Sequence, residues 1–214
     1  GKLNTLVHDM TGRNQFVLET FVKFGANEEI LYDYKPHIGT DVLRIVVKNM
    51  REYIKSLGGK FYFNTCLTDF KIEENRVKEI EVNHKSWMSV DRLVLAIGHS
   101  ARDTFSLLHK KNVKMEPKAF AIGLRVEHLQ SKINEMQYGK FASFLPPASY
   151  KLTYQAKNGH GVYSFCMCPG GYVVNASSEE GCLVVNGMSN ARRESQNANS
   201  AIVVTVPKSK DLFG

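Results

Sequence analysis

Leu93, Val94, Leu95, Ala96 and Ile97 form an apolar run without polar alternation, closed by Gly98. A strand with one wet face alternates apolar and polar residues, so this run reads as a strand covered on both faces. That requirement points to an α/β layer with helices packed on a sheet. The residues upstream agree. Between Thr40 and Gly58, the side chains Leu43, Val46, Val47, Met50, Ile54 and Leu57 share a helical face that Val42, Ile45 and Tyr53 widen. Thr40 is placed to cap that helix, Asp41 favours its positive end, and Gly58 sits where a left-handed residue ends it. A helix so broadly apolar is expected to pack on more than one side, as a crossover helix does. A shorter helix is expected at Asn14–Phe24, stopped by Gly25.

Downstream of Gly58–Gly59, Lys60–Asn64 reads as a short strand. Thr68, Phe70 and Ile72 then alternate with charged residues and, after the turn at Glu74–Arg76, Ile80 and Val82 do the same. This is a hairpin with one solvated face, and Trp87–Val90 adds a third strand. Ser100–Asp103 resembles a helix-capping signal. Beyond Pro117 the chain is richer in strand: Phe120–Glu127, Lys151–Gln155, Gly161–Met167, Gly171–Asn175, Cys182–Asn186 and Ala201–Val206, with a short helix at Leu129–Gln137. The expected organisation is α/β (α+β overall). Residues 1–117 form a partial Rossmann-like, FAD-binding domain with a β-meander, and residues 118–214 a mainly β substrate domain. Helix, Gly-Gly, strand, meander, covered strand, glycine, helix is the order that dinucleotide-binding flavoproteins follow after their first strand, with the cofactor across the strand ends. Yet no G-x-G-x-x-G occurs; Gly159-His-Gly161 and Gly170–Gly171 each precede a strand.

Composition narrows the function classes. The net charge is +7, but Lys110–Lys111 and Arg192–Arg193 are the only adjacent basic pairs, so no basic stripe for nucleic acid exists. No apolar run approaches the roughly 20 residues of a membrane-spanning helix. Cys66, Cys166, Cys168 and Cys182 lack C-x-x-C spacing, so neither a metal site nor a disulfide framework is expected, and a reducing cytoplasm is the expected compartment.

Several stretches carry a resemblance: G-K-L-N-T (Gly1–Thr5), P-H-I-G-T-D (Pro36–Asp41), A-I-G-H-S-A-R-D-T (Ala96–Thr104), Q-Y-G (Gln137–Gly139) and Y-K-L-T (Tyr150–Thr153). G-V-Y-S-F-C-M-C-P-G-G (Gly161–Gly171), N-G-M-S (Asn186–Ser189) and N-A-N-S-A (Asn197–Ala201) continue it. With these the chain resembles a bacterial family of uncharacterised FAD-utilising, or NAD(FAD)-utilising, dehydrogenases, departing from it at Leu129, where a proline is expected. The resemblance implies an internal fragment of an oxidoreductase that holds FAD non-covalently, acts on a small-molecule substrate, and uses NAD(P)H or another electron donor. It implies that Thr65 and Cys66 lie beside the adenine, that Ala96, Ile97 and Gly98 lie beside the pyrophosphate or ribose, and that Lys2 lies near the flavin ring. Without the phosphate loop, this chain alone is expected to bind FAD weakly or not at all. The competing expectation is a cofactor-free binding module on a flavoprotein-like fold.

Arg192 and Arg193, set among Asn186, Asn190, Asn197 and Asn199, form the main polar cluster, and a guanidinium there suits a carboxylate or phosphate of the substrate. Cys166 and Cys168 read as core residues sharing a strand face with Ser164, opposite Tyr163, Phe165 and Met167. His37, His99 and His128 are each expected to be satisfied or surface histidines before proton carriers.

Overall fold

A computed structural model describes Leu3 and residues 9–207. The described residues fall into two units: one joins those up to Gly59 to those from Ala119 onward, and the other is Lys60–Lys118.

In the first unit, α1 (Arg13–Lys23) and α2 (Thr40–Ser56) enclose a core of Ala26, Ile30, Ile38 and Val46, with Leu18, Phe21, Leu43 and Met50 packed on it. Val46 is fully buried. The wider apolar face of α2 departs from expectation: Ile45, Val47, Ile54 and Leu57 stand exposed, so the helix is packed along one side only. Nor does Thr40 cap it. Gly39 occupies the cap position without a side-chain bond, while Gly58 does take the left-handed conformation at φ 89°.

The rest of this unit is an antiparallel sheet. Before the long strands come the numbered elements of the second unit: β1 (Leu67–Glu73), β2 (Arg76–Val82), β3 (Ser86–Ser89) and α3 (Arg102–Lys110). The sheet of the first unit then uses β4 (Phe120–Leu129), followed by α4 (Gln130–Tyr138), β5 (Thr153–Gln155) and β6 (Gly161–Cys168). The ribbon β7 (Gly171–Asn175) and β8 (Val185–Ser189) precedes the last strand, β9 (Asn197–Val206). The sheet runs β4-β9-β6-β5, with β4 and β9 paired without interruption from Phe120↔Val206 to Leu129↔Asn197. The period of two in β4 therefore puts Arg125 and Glu127 on one face, and Phe120, Ile122, Leu124 and Val126 on the other. A second core of Ile133, Ala148, Met167 and Ala198 lies under α4, with Tyr138 and Tyr150 against it.

Strand β6 breaks the alternation expected for its cysteines. Its register with β9 shifts between Phe165 and Cys168, and Cys166 takes a left-handed φ of 48°. The bulge turns Met167 and Cys168 inward together while Phe165 stays exposed. A bulge re-aims every side chain after it, which period-two reasoning does not anticipate.

The second unit is the antiparallel meander β1-β2-β3 with α3 against β1. Phe70 and Thr104 are buried in it, and Phe70 is covered by the Lys111 ammonium that also meets Asp69 at 2.7 Å. The hairpin turns at Glu74–Asn75, both left-handed, as a two-residue turn between right-twisted strands requires. Neither Lys60–Asn64 nor Leu93–Ile97 joins a ladder, and Val94 is 86% exposed. An apolar run becomes a covered strand only where neighbours pair with both its edges. Every strand pairing among the described residues is antiparallel, and the fold they show is α+β.

Candidate functional site

Three segments distant in sequence meet in the first unit. The β8–β9 connection starts at Asn190, turns through the Arg193 N–H donating to the Asn190 carbonyl at 3.1 Å, and puts Arg193 at a left-handed φ of 53°. Gly170 holds this loop from one side: its carbonyl accepts from the Ser195 N–H at 3.2 Å. Its own N–H donates to the buried Gln130 Oε1 at 2.7 Å. A Cβ on Gly170 would overlap the Arg193 carbonyl, and at φ 49° the position favours glycine on backbone grounds too. The first turn of α2 holds the loop from the other side. The Ala191 N–H donates to Asp41 Oδ1 at 2.9 Å, and Gly39 leaves no room for a side chain against Ala191.

His37 completes the cluster. Its Nε2 lies 3.1 Å from the Asn190 carbonyl, which can only accept, so Nε2 carries the proton and Nδ1 keeps its lone pair. Burial pushes the His37 pKa below 6.5; the Asn190 carbonyl opposes this and the Arg193 charge adds to it. Burial of Asp41 would raise its carboxyl, but hydrogen bonds from the backbone of Ala191, Val42 and its own residue outweigh that and lower it. The result is a neutral imidazole beside a guanidinium on a loop tied at both ends.

Of the expected substrate residues, Arg193 stands in this cluster. Arg192 is its exposed neighbour, and Asn186 lies farther back on β8, exposed and paired with Val174. Asn199 is instead fully buried on β9, where its Oδ1 accepts from Arg125 Nη1 at 2.5 Å. His37, Gln130 and Arg125 were not expected as site residues. Arg125 left a signal as a cation between Leu124 and Val126 in β4, and His37 as one of three histidines weighed as proton carriers; Gln130 left none.

The expected cofactor residues lie in the second unit. Thr65 borders a hollow of about 550 Å³ with Tyr62, Leu67, Ile80, Lys85 and Met88. The Cys66 N–H is held by Asn83 Oδ1 at 2.8 Å. Ala96, Ile97 and Gly98 are exposed, with Gly98 at φ 72° and open space where its Cβ would be. Lys2 lies outside the described residues. Tested as a flavin site, these residues fall short: no glycine-rich turn presents a row of N–H groups at a helix start, and no parallel ladder among the described residues aligns strand ends for a pyrophosphate. They do not by themselves form a dinucleotide cradle. Among the described residues, no helix is long and apolar enough to cross a membrane.

Comparison with known proteins covers both halves of the chain. A protein named "Uncharacterized protein" from Clostridium beijerinckii is 53% identical over 209 residues. The match takes in 96% of this chain, which spans 39% of that relative's length. Residues 119–213, which include α4, the Gly170 turn and the Arg193 loop, match the family described as FAD-dependent protein, C-terminal domain-like.

Proposed function

We propose that this chain supplies the substrate-facing part of an FAD-dependent oxidoreductase that acts on a small molecule, with NAD(P)H or another electron donor as its partner. The observation that carries the reading is the FAD-dependent family match over residues 119–213, the same residues whose Arg193 loop is tied down beside His37. Bound non-covalently, the flavin would supply the hydride or electron chemistry. The chain's own residues supply placement: Arg192 and Arg193 offer positive charge to an anionic substrate group. His37, neutral near pH 7 with a free Nδ1 lone pair, is able to take up a proton. In the proposed Rossmann-like arrangement, Thr65 and Cys66 face the adenine and Ala96, Ile97 and Gly98 the pyrophosphate or ribose, with Lys2 near the flavin ring. A protein of the relative's length has room for the missing phosphate cradle.

A second reading, a cofactor-free binding module, draws support from the absence of that cradle among the described residues. The visible absorption spectrum of the protein purified from its complete reading frame separates the two. The expected result is flavin bands with one FAD per chain. The present chain, lacking pyrophosphate contacts worth about 4 kcal/mol, is expected to bind FAD about a thousandfold more weakly. A folded, colourless full-length protein that ignores added FAD would overturn the oxidoreductase reading and leave the module.

A further inference from the structure

Arg125 is a half-buried cation without an anion. Its guanidinium lies against Gly187 of β8, so closely that a Cβ there would overlap both Arg125 Nη1 and Asn199 Oδ1. Both of its hydrogen bonds leave from Nη1, to the Cys166 carbonyl at 3.3 Å and to Asn199 Oδ1 at 2.5 Å. Nε and Nη2 have no partner among the described residues, and no carboxylate among them pairs with the charge. Glu127, two residues along the same face of β4, makes no ion pair with it. Asn199 is 0% exposed, and its Nδ2 is a buried donor with no acceptor.

Of these groups only Asn199 Nδ2 is a buried donor without an acceptor, which is costly; Nε and Nη2 of Arg125 are not buried and stay open to solvent and to a ligand. The pattern of what is met and what is not is specific. Neutral acceptors fix Nη1, which locks the plane of the guanidinium. The edge left free is Nε with Nη2, two parallel N–H groups spaced for the two oxygens of a carboxylate. One cation facing one open edge matches a monoanion; a phosphate dianion would ask for a second positive charge, and none is bonded into this cluster.

We propose that Arg125, fixed by Asn199 and the Cys166 carbonyl beneath Gly187, is the anchor of a binding site for a carboxylate. The site stands on the first unit alone and does not require a flavin. The guanidinium lies against Gly187 of β8, the residue after Asn186. Asn199 acts on the ligand through Arg125 and is a positioning residue.

The test is titration of this chain with benzoate, acetate and inorganic phosphate, followed by 1H–15N correlation spectra and calorimetry. Arg125→Lys keeps the charge and removes the fork; Arg125→Gln removes both. Benzoate or acetate is expected to saturate the native chain and to perturb amides around Arg125, Gly187 and Asn199. In Arg125→Lys, with native chemical shifts elsewhere, affinity should fall at least about tenfold, the worth of one charge-assisted hydrogen bond. Arg125→Gln should abolish it. The proposal is overturned by an absence of saturation at about 50 mM carboxylate, a concentration that would detect even millimolar binding. Equal affinity in a folded Arg125→Lys chain, or tighter binding of phosphate than of carboxylate, overturns it too.

Discussion

Replacing Gly170 by alanine tests whether the Arg193 loop is held as tightly as its contacts imply. The backbone there is left-handed, which costs an L-residue about 1–2 kcal/mol. The new methyl also overlaps the Arg193 carbonyl, and backbone of this kind does not swing aside as a side-chain tip does. Moving it breaks the Ser195 N–H bond to the Gly170 carbonyl and pulls the Gly170 N–H from buried Gln130 Oε1. Each such bond is worth about 1 kcal/mol, and a buried acceptor left bare costs more. Alanine returns about 0.5 kcal/mol by restricting the unfolded chain. The expected net loss is about 3 kcal/mol, a large part of a typical stability of about 5–15 kcal/mol. Gly159→Ala is the internal standard: it shares a positive φ of 84° but meets nothing within 4 Å, so it carries backbone strain alone. The assay is urea unfolding by far-ultraviolet circular dichroism. Fluorescence is unsuitable because Trp87, the single tryptophan, reports on the meander. Equal losses in the two variants, within about 1 kcal/mol, would refute the steric part of the reasoning.

The His37 imidazole should titrate below 6.5 in an NMR pH series, and Arg193→Ala should move it upward by removing a neighbouring cation; an unmoved value would separate the two residues. Because the folded pKa is depressed, the neutral histidine stabilises the fold above pH 6.5. That contribution is lost as pH falls from 6.5 through the folded value, and His37→Gln should flatten that part of the stability profile. Asp41 is also depressed, so its contribution is present above 3.8 and disappears as pH falls below it; Asp41→Asn should blunt the acid limb there. In the meander, Glu74 sits left-handed in the hairpin turn, and Glu74→Asn should stabilise the second unit by about 0.5 kcal/mol, read from Trp87 fluorescence in urea. A loss of stability would show that the Glu74 side chain does more there than occupy a turn.

Local structure was legible wherever local chemistry decides it. The hairpin at Glu74–Asn75, the end of α2 at Gly58 and the alternation of β4 follow from turn residues and period two. Long strands were read short: β9 begins at Asn197, four residues before Ala201, because asparagine and serine there are polar yet buried. Ser200 Oγ and Asn199 Oδ1 find hydrogen-bond partners in the core, though Asn199 Nδ2 does not, and hydropathy registers neither. The strand expected at Cys182–Asn186 slides to Val185–Ser189 for a related reason, since its partner β7, not its own apolar content, sets where pairing starts. Leu93–Ile97 is the instructive failure. Its pattern states what surroundings it needs, and no strand among the described residues supplies them.

The site was legible in pieces but not as a site. Pro36–Asp41, Gly161–Gly171 and Asn186–Ser189 each drew notice in the sequence, and the fold brings them to one loop, with His37 on Asn190, Asp41 on Ala191 and Gly170 against Arg193. None of those pairings is encoded by spacing, since the partners are more than twenty residues apart in every case. What links them is the missing Cβ. At Gly170 a methyl would strike the Arg193 backbone as well as strain a left-handed φ, and at Gly187 it would press on the Asn199 and Arg125 side-chain ends, so contact, beyond conformation, favours glycine at both positions. A loop fastened this way loses little further freedom when a ligand arrives, and the charges it carries are placed beforehand. Arg125 beneath the ribbon is therefore a cation fixed through its own side-chain bonds, while the loop fastens the backbone of Arg193 and leaves exposed Arg192 to be ordered by whatever it binds. The distinction is measurable: Arg192→Ala should weaken binding of an anionic ligand less than Arg125→Gln, and the reverse order would mean that the open loop, not the fixed guanidinium, recognises it.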